Sequence, residues 1–105
     1  MVDKFSVVLV DLDPTIGSEY NKTRPCVVVS PTDLNNVLGT VIIAPMTSVH
    51  RGWPFRPLVT GPKTKSELAI DQMRVIDKRR IRKTLGKLNS NDIEKVQSVI
   101  EDFFH

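Results

Sequence analysis

With a single cysteine, Cys26, this chain cannot form an internal disulfide, which fits a reducing compartment such as the cytoplasm. It has only two histidines, His50 and His105, and no His/Cys/carboxylate group has zinc spacing. No glycine-rich loop of the phosphate-cradling kind is present. No apolar run approaches the roughly 20 residues that a membrane helix needs. The start, Met1-Val2-Asp3-Lys4-Phe5, lacks the basic-then-apolar pattern of a signal peptide. These absences argue against a disulfide scaffold, a zinc module, a P-loop enzyme and a helical membrane protein. No metal and no cofactor is expected.

The 105 residues, 40% of them apolar, suit one domain spanning 1–105. A chain of this size buries roughly two-thirds of its unfolded surface, enough for one modest core. The net charge of +3 is only mildly basic, so charge alone says little about partners. Its distribution says more. Lys78, Arg79, Arg80, Arg82, Lys83 and Lys87 crowd one stretch, while Asp92, Glu94, Glu101 and Asp102 fall near the C-terminus. Such a stripe is usually a solvated face, and an RNA track or a dock for an acidic partner is the second reading.

Apolar, β-branched runs predict strands over 5–12, 26–30 and 40–44, the last two stopped by Pro31 and Pro45. A helical turn is expected near Asp33–Asn36, and an edge strand from Phe55 to Val59, which contains Pro57. The stretch from Glu67 to Ile76 reads as one strand or two, and Ile81–Leu88 as a helical turn or a strand. The clearest helix is last. Asn91 with Glu94 resembles a capping box, with Ser90 the alternative cap, and Ile93, Val96, Val99, Ile100 and Phe103 form one apolar face. The pattern is mainly β with a C-terminal helix, a small barrel.

Four blocks carry chemistry. Asp11-Leu12-Asp13-Pro14-Thr15-Ile16-Gly17-Ser18-Glu19 leads to Lys22-Thr23-Arg24-Pro25. Ala44-Pro45-Met46-Thr47-Ser48 follows, then Trp53-Pro54-Phe55, then Leu68-Ala69-Ile70-Asp71-Gln72-Met73-Arg74. In this order and spacing they resemble the MazF/PemK toxins of toxin–antitoxin pairs, the Kid-type family. The resemblance implies an SH3-like (PemK/CcdB-like) barrel that forms homodimers. It also implies a metal-independent, sequence-selective endoribonuclease cutting single-stranded RNA (mRNA) to a 2′,3′-cyclic phosphate and a 5′-hydroxyl. A cognate acidic antitoxin is the implied partner. Family members usually begin the first strand with Gly and an acidic residue, where this chain has Phe5 and Ser6. Some carry His and Arg where this chain has Ser18 and Ala69, so it matches instead the branch in which Arg24 and Thr47 are catalytic.

Cleavage through the 2′-hydroxyl needs a base, donors for the phosphorane and an acid for the leaving oxygen. Arg24 suits the phosphorane, because its planar fork spans two phosphate oxygens and stays charged. Thr47 and Ser48 offer hydroxyls at a strand end. Glu19 is the carboxylate near Arg24 that could take the proton, with Asp71 the second candidate. Ser18, Ser48, Asp71, Gln72, Arg74 and Trp53 are the expected RNA contacts. Read without the resemblance, Glu19 and Arg24 are a loop salt bridge. Thr47 then becomes a strand terminator bonded to backbone, Asp71-Gln72 turn polars, and Cys26 a buried small hydrophobe. Phe55 is expected to point into the core. Two rival functions remain, a CcdB-like gyrase poison without catalysis and a small β-barrel RNA-binding module.

Overall fold

The computed structural model describes residues 2–12 and 23–105. The expected site residues Ser18 and Glu19 lie outside the described residues. The apolar runs become strands β1 (Ser6–Asp11), β2 (Thr23–Val28) and β3 (Thr40–Thr47). They are followed by β4 (Leu58–Thr60), β5 (Lys65–Leu68), β6 (Arg74–Asp77) and β7 (Ile81–Lys87). Helix α1 (Thr32–Val37) follows β2, and α2 (Ser90–Phe103) closes the chain. All pairings are antiparallel, and the main sheet runs β7-β1-β2-β3-β6, with β5 and then β4 added beyond the end of β6. The result is a curled, mostly β fold with one long helix, as the sequence predicts.

The edge strand expected over Phe55–Val59 is β4, Leu58–Thr60, which leaves Pro57 outside it, and β2 ends at Val28 rather than at residue 30. Other boundaries differ for visible reasons. Strand β3 does not stop at Pro45 but runs on to Thr47. On its outer edge β6 pairs with Thr40–Ile43 and β5 with Met46–Thr47, so Pro45 falls in the gap, where no N–H is needed. The Pro45 carbonyl is used, accepting from Ala69 N–H at 2.9 Å. Strand β2 starts earlier, at Thr23, because its first residues already pair with β1, Asp11 opposite Thr23 and Val10 opposite Arg24. Helix α2 is capped by Asn89, whose Oδ1 accepts from Asp92 N–H at 2.8 Å, rather than by Ser90 or Asn91. Glu67 to Ile76 resolves into β5 and β6, split by a 3-10 turn at Ile70–Gln72, and Ile81–Leu88 is strand for most of its length.

Strands β1 to β3 read as continuously apolar because both their faces are covered. Val7, Val27, Ala44 and Met46 face α2 and pack with Leu68, Ile70, Leu88 and Val96, and with Ile93, Val99 and Ile100. Val8, Val10, Cys26, Val28, Val41, Ile43 and Ile76 fill the opposite side. Truncating a fully buried residue such as Leu68 to alanine costs about 2–5 kcal/mol. The N-terminal end of α2 is fastened to β4: the buried Asp92 carboxylate accepts from Thr60 N–H, and Lys95 Nζ donates to the Leu58 carbonyl. Among the described residues Phe5 alone of the non-glycines has a left-handed backbone, φ 67°. That conformation suits glycine, and its cost of roughly 1–2 kcal/mol is set against burial of the phenyl ring, only 4% exposed.

Candidate active site

The ladder between β2 and β3 places Cys26 opposite Pro45, Val27 opposite Ala44 and Val28 opposite Ile43. The ladder ends there; two residues beyond it Arg24, paired with Val10 of β1, and Thr47, paired with Glu67 of β5, lie at the adjoining ends of β2 and β3. Both positions alternate in phase with Cys26 and Ile43, so the guanidinium and the hydroxyl are directed to one face. Arg24 is exposed, and Thr47 is half-buried at the strand end. Arg74 belongs to the same neighbourhood, because β6 sets it opposite Ile43. The Cys26 thiol registers all this: burial pushes it up to about 12, while the charges of Arg24 and Arg74 pull it the other way. Cys26 is therefore an inert buried group at neutral pH.

Thr47 Oγ1 accepts from Val49 N–H at 3.1 Å. This is the side chain-to-backbone bond expected of a strand terminator. It also leaves the hydroxyl proton available, so the bond fixes the rotamer without consuming the donor. Ser48 is exposed just beyond it.

The loop after Thr47 is organised by two carboxylates. Glu67 stands opposite Thr47 in β5, and its Oε2 accepts from both Arg51 N–H and Gly52 N–H at 2.9 Å. Two successive N–H groups converge on one oxygen because Gly52 adopts φ 69°, a conformation costly for other residues. These backbone bonds hold the Glu67 carboxyl below its usual range against the opposing effect of burial. Its Oε1 is buried and has no hydrogen-bond partner. Asp71, in the 3-10 turn, takes Arg56 in a two-point clasp, Nε to Oδ1 at 2.9 Å and Nη2 to Oδ2 at 3.0 Å. The Arg56 bond lowers Asp71 below the ordinary carboxylate value. With both oxygens engaged and its proton affinity reduced, Asp71 is poorly set to act as a base.

Between these anchors sits Trp53, 41% exposed. The Arg56 guanidinium lies 4.7 Å from its ring centroid and that of Arg51 5.2 Å. Phe55 is half-buried rather than in the core: its ring lies 5.4 Å from Trp53 and 6.5 Å from Phe103. Gln72 and Arg74 are exposed on the neighbouring segment. Of the expected residues, Arg24 lies at the start of β2, Thr47 and Ser48 at the end of β3 and Arg74 at the start of β6, while Trp53 and Asp71 are joined through Arg56.

Two residues that organise the loop escaped the sequence reading. Glu67 looks like an ordinary strand polar, and Arg56 like a solvated loop cation. The available signal was a carboxylate at the head of an apolar run, Glu67-Leu68-Ala69-Ile70. The basic stripe is partly structural. Arg79 pairs with Asp77, Arg82 pairs with Asp11, and Arg80 donates to the Asp11 carbonyl. Lys83 and Lys87 remain exposed on β7. Among the described residues no group of three or more His, Cys, Asp and Glu could hold a metal ion. Among the described residues no helix is long and apolar enough to cross a membrane.

Comparison with known proteins gives a consistent answer. Residues 3–104 match the family model described as PemK-like, MazF-like toxin of type II toxin-antitoxin system. The Endoribonuclease toxin MazF of Escherichia coli strain K12 is 36% identical over 74 residues, 70% of this chain and 67% of that protein. Endoribonuclease MazF9 of Mycobacterium tuberculosis is 28% identical over 111 residues, covering 96% of this chain and 94% of the relative. Among solved structures, a MazE-MazF crystal structure from Deinococcus radiodurans superposes with a TM-score of 0.80 at 26% identity, covering 98% of this chain and 95% of the other.

Proposed function

This chain belongs to the PemK-like, MazF-like toxin family of type II toxin–antitoxin systems, and from that premise we propose that it is a metal-independent endoribonuclease acting on single-stranded RNA in the cytoplasm. The observation that supports this reading is the β2–β3 ladder, which brings the strand ends carrying Arg24 and Thr47 side by side, with Arg74 entering β6 opposite Ile43. A forked cation and an oriented hydroxyl on one face fit a phosphorane, whose equatorial oxygens they would bind as charge develops. The adjacent 2′-hydroxyl attacks phosphorus, the 5′-oxygen leaves, and the products are a 2′,3′-cyclic phosphate and a 5′-hydroxyl end. Glu19 takes the 2′-proton in this scheme, and the occupation of Asp71 by Arg56 favours that assignment. Ser18, Ser48, Gln72 and Trp53 contact the RNA in this scheme, and the polar groups among them give sequence selectivity. A gyrase poison needs no such phosphate pocket, and the relatives named above are nucleases.

The same reading includes a homodimer and an acidic antitoxin. An apolar hollow of about 440 Å³ lies between the end of α2 and the β3–β6 edge, lined in part by Ile42, Met73, Val75, Ile100, Phe103 and Phe104. Val75 is 60% and Phe104 68% exposed, large apolar groups that a two-fold interface would cover. Lys83 and Lys87, with Arg24 and Arg74, supply positive charge for RNA or for an acidic tail, and either affinity should fall steeply with salt.

The test is incubation of purified protein with a long single-stranded RNA in excess EDTA, followed by mapping of the cut ends. Cuts at defined sequences with 5′-hydroxyl termini are expected. RNA left intact, or cleavage that EDTA stops and magnesium restores, refutes the reading. An 11.8 kDa particle by light scattering, still active, refutes the dimer.

A further inference from the structure

We propose that Glu67 is a positioning residue that builds, with the Arg56–Asp71 clasp, a nucleobase-stacking platform on Trp53. The inference deepens the ribonuclease reading and rests on it for the identity of the ligand as single-stranded RNA. Three observations carry it. The first is the geometry of Glu67: a charged residue only 4% exposed, with one oxygen spent on two consecutive loop N–H groups and the other on nothing. A buried carboxylate with an empty oxygen is costly, and a hydrophobic residue would serve a β-strand better. What the carboxylate accomplishes is to fix the backbone of Arg51 and Gly52, directly before Trp53.

The second is the clasp behind the indole. Arg56 has a side chain only 7% exposed, is held at two points by Asp71, and backs Trp53 at 4.7 Å. A guanidinium held from both sides cannot swing out to bind phosphate. Its available role is to support the ring and polarise it. The third is exposure. Trp53 is 41% exposed on a loop that starts at Thr47, and the exposed Arg51 is the cation that a base would displace or stack beneath. A flat ring braced by a buried cation, next to the candidate cleavage residues, is what a splayed base stacks on, and such stacking tolerates any base.

Trp53 is the only tryptophan in the chain, so its emission reports the platform directly. The probe is a randomised pool of single-stranded 2′-O-methyl RNA, which lacks the attacking hydroxyl; duplex RNA of the same composition is the control. The single-stranded pool should quench Trp53 and the duplex should not. Glu67→Leu should bind the pool about ten-fold more weakly, the scale of one lost base stack, with the quench largely lost. Glu67→Gln should behave like the wild type, because its amide oxygen still accepts both N–H groups. Asp71→Asn, at a surface position, gives a second arm should Glu67→Leu fail to fold, and should also weaken the quench. Unchanged quenching in Glu67→Leu and Asp71→Asn overturns the proposal, as does a wild-type protein that binds the pool with no change in emission. Cleavage without quenching removes the platform and leaves the nuclease. Quenching without any cleavage of natural RNA keeps the platform and removes the nuclease.

Discussion

Two neighbouring parts of this molecule hold their functional side chains by different means. Arg24 and Thr47 ride on paired strands, fixed by a backbone ladder and by valines that are almost fully buried. Trp53 rides on a loop and is fixed by side chains, Glu67 beneath the backbone and Arg56–Asp71 behind the ring. A ladder is indifferent to pH and cannot be removed by one substitution. A pair of carboxylates can be removed by either. The strand end therefore suits the chemistry shared by every substrate, where a small displacement is costly. The loop suits selection among substrates, where adjustment is useful.

The sharpest way to break this contrast is Arg24→Ala. It should lower kcat/KM by about a thousandfold or more while leaving the melting temperature nearly unchanged, since an exposed arginine adds little to folding. Arg24→Lys should not restore activity, because a point charge lacks the fork. Near wild-type cleavage by either variant would remove Arg24 from the mechanism.

Thr47→Ala should come next, with a loss of about a hundredfold or more, falling mainly on kcat. A loss confined to KM would instead place Thr47 among the binding residues. The loop side predicts the opposite division. Trp53→Ala should raise KM about ten-fold and move kcat much less. If Trp53→Ala lowers kcat as far as Thr47→Ala does, the two regions are not separate in function.

Acid provides a milder probe. Asp71 and Glu67 are both held below their ordinary values. Their contribution is therefore complete above the unfolded values, about 3.9 and 4.3, and is lost as pH falls through the lower folded values. Protonated Glu67 keeps a carbonyl oxygen for the loop N–H groups, so Trp53 emission should follow the Arg56–Asp71 pair, constant down to about pH 4 and shifting only below it. A shift near neutral pH would mean that another group controls the loop. The smallest effect should come from chelation: EDTA should leave the cleavage rate unaltered.

Much of the strand framework was legible in the residues, because alternation and β-branching act locally and leave a local trace. The C-terminal helix was equally plain from the spacing of Ile93, Val96, Val99 and Ile100, all of which pack as that spacing predicts. Prolines misled where only pairing could decide. Pro45 reads as a stop, yet it is tolerated inside β3 because its outer partner changes at that residue. The cap was misplaced by one residue or more, since Asn89, Ser90 and Asn91 are chemically interchangeable in a list of letters.

By itself, then, the sequence determined most of the strand framework and the terminal helix and, through its resemblance to a toxin family, proposed the pair Arg24 and Thr47. Only the tertiary structure decided that the strand ends carrying these two adjoin and that Glu67 stands opposite Thr47. It also decided that Asp71 is engaged by Arg56 rather than open to a substrate. The physical reason is range. Helix and strand preferences arise among residues a few positions apart. The Glu67–Arg51 and Asp71–Arg56 contacts each join residues 16 and 15 positions apart. They exist only once β3 and β5 have paired, and nothing in the intervening letters records that closure.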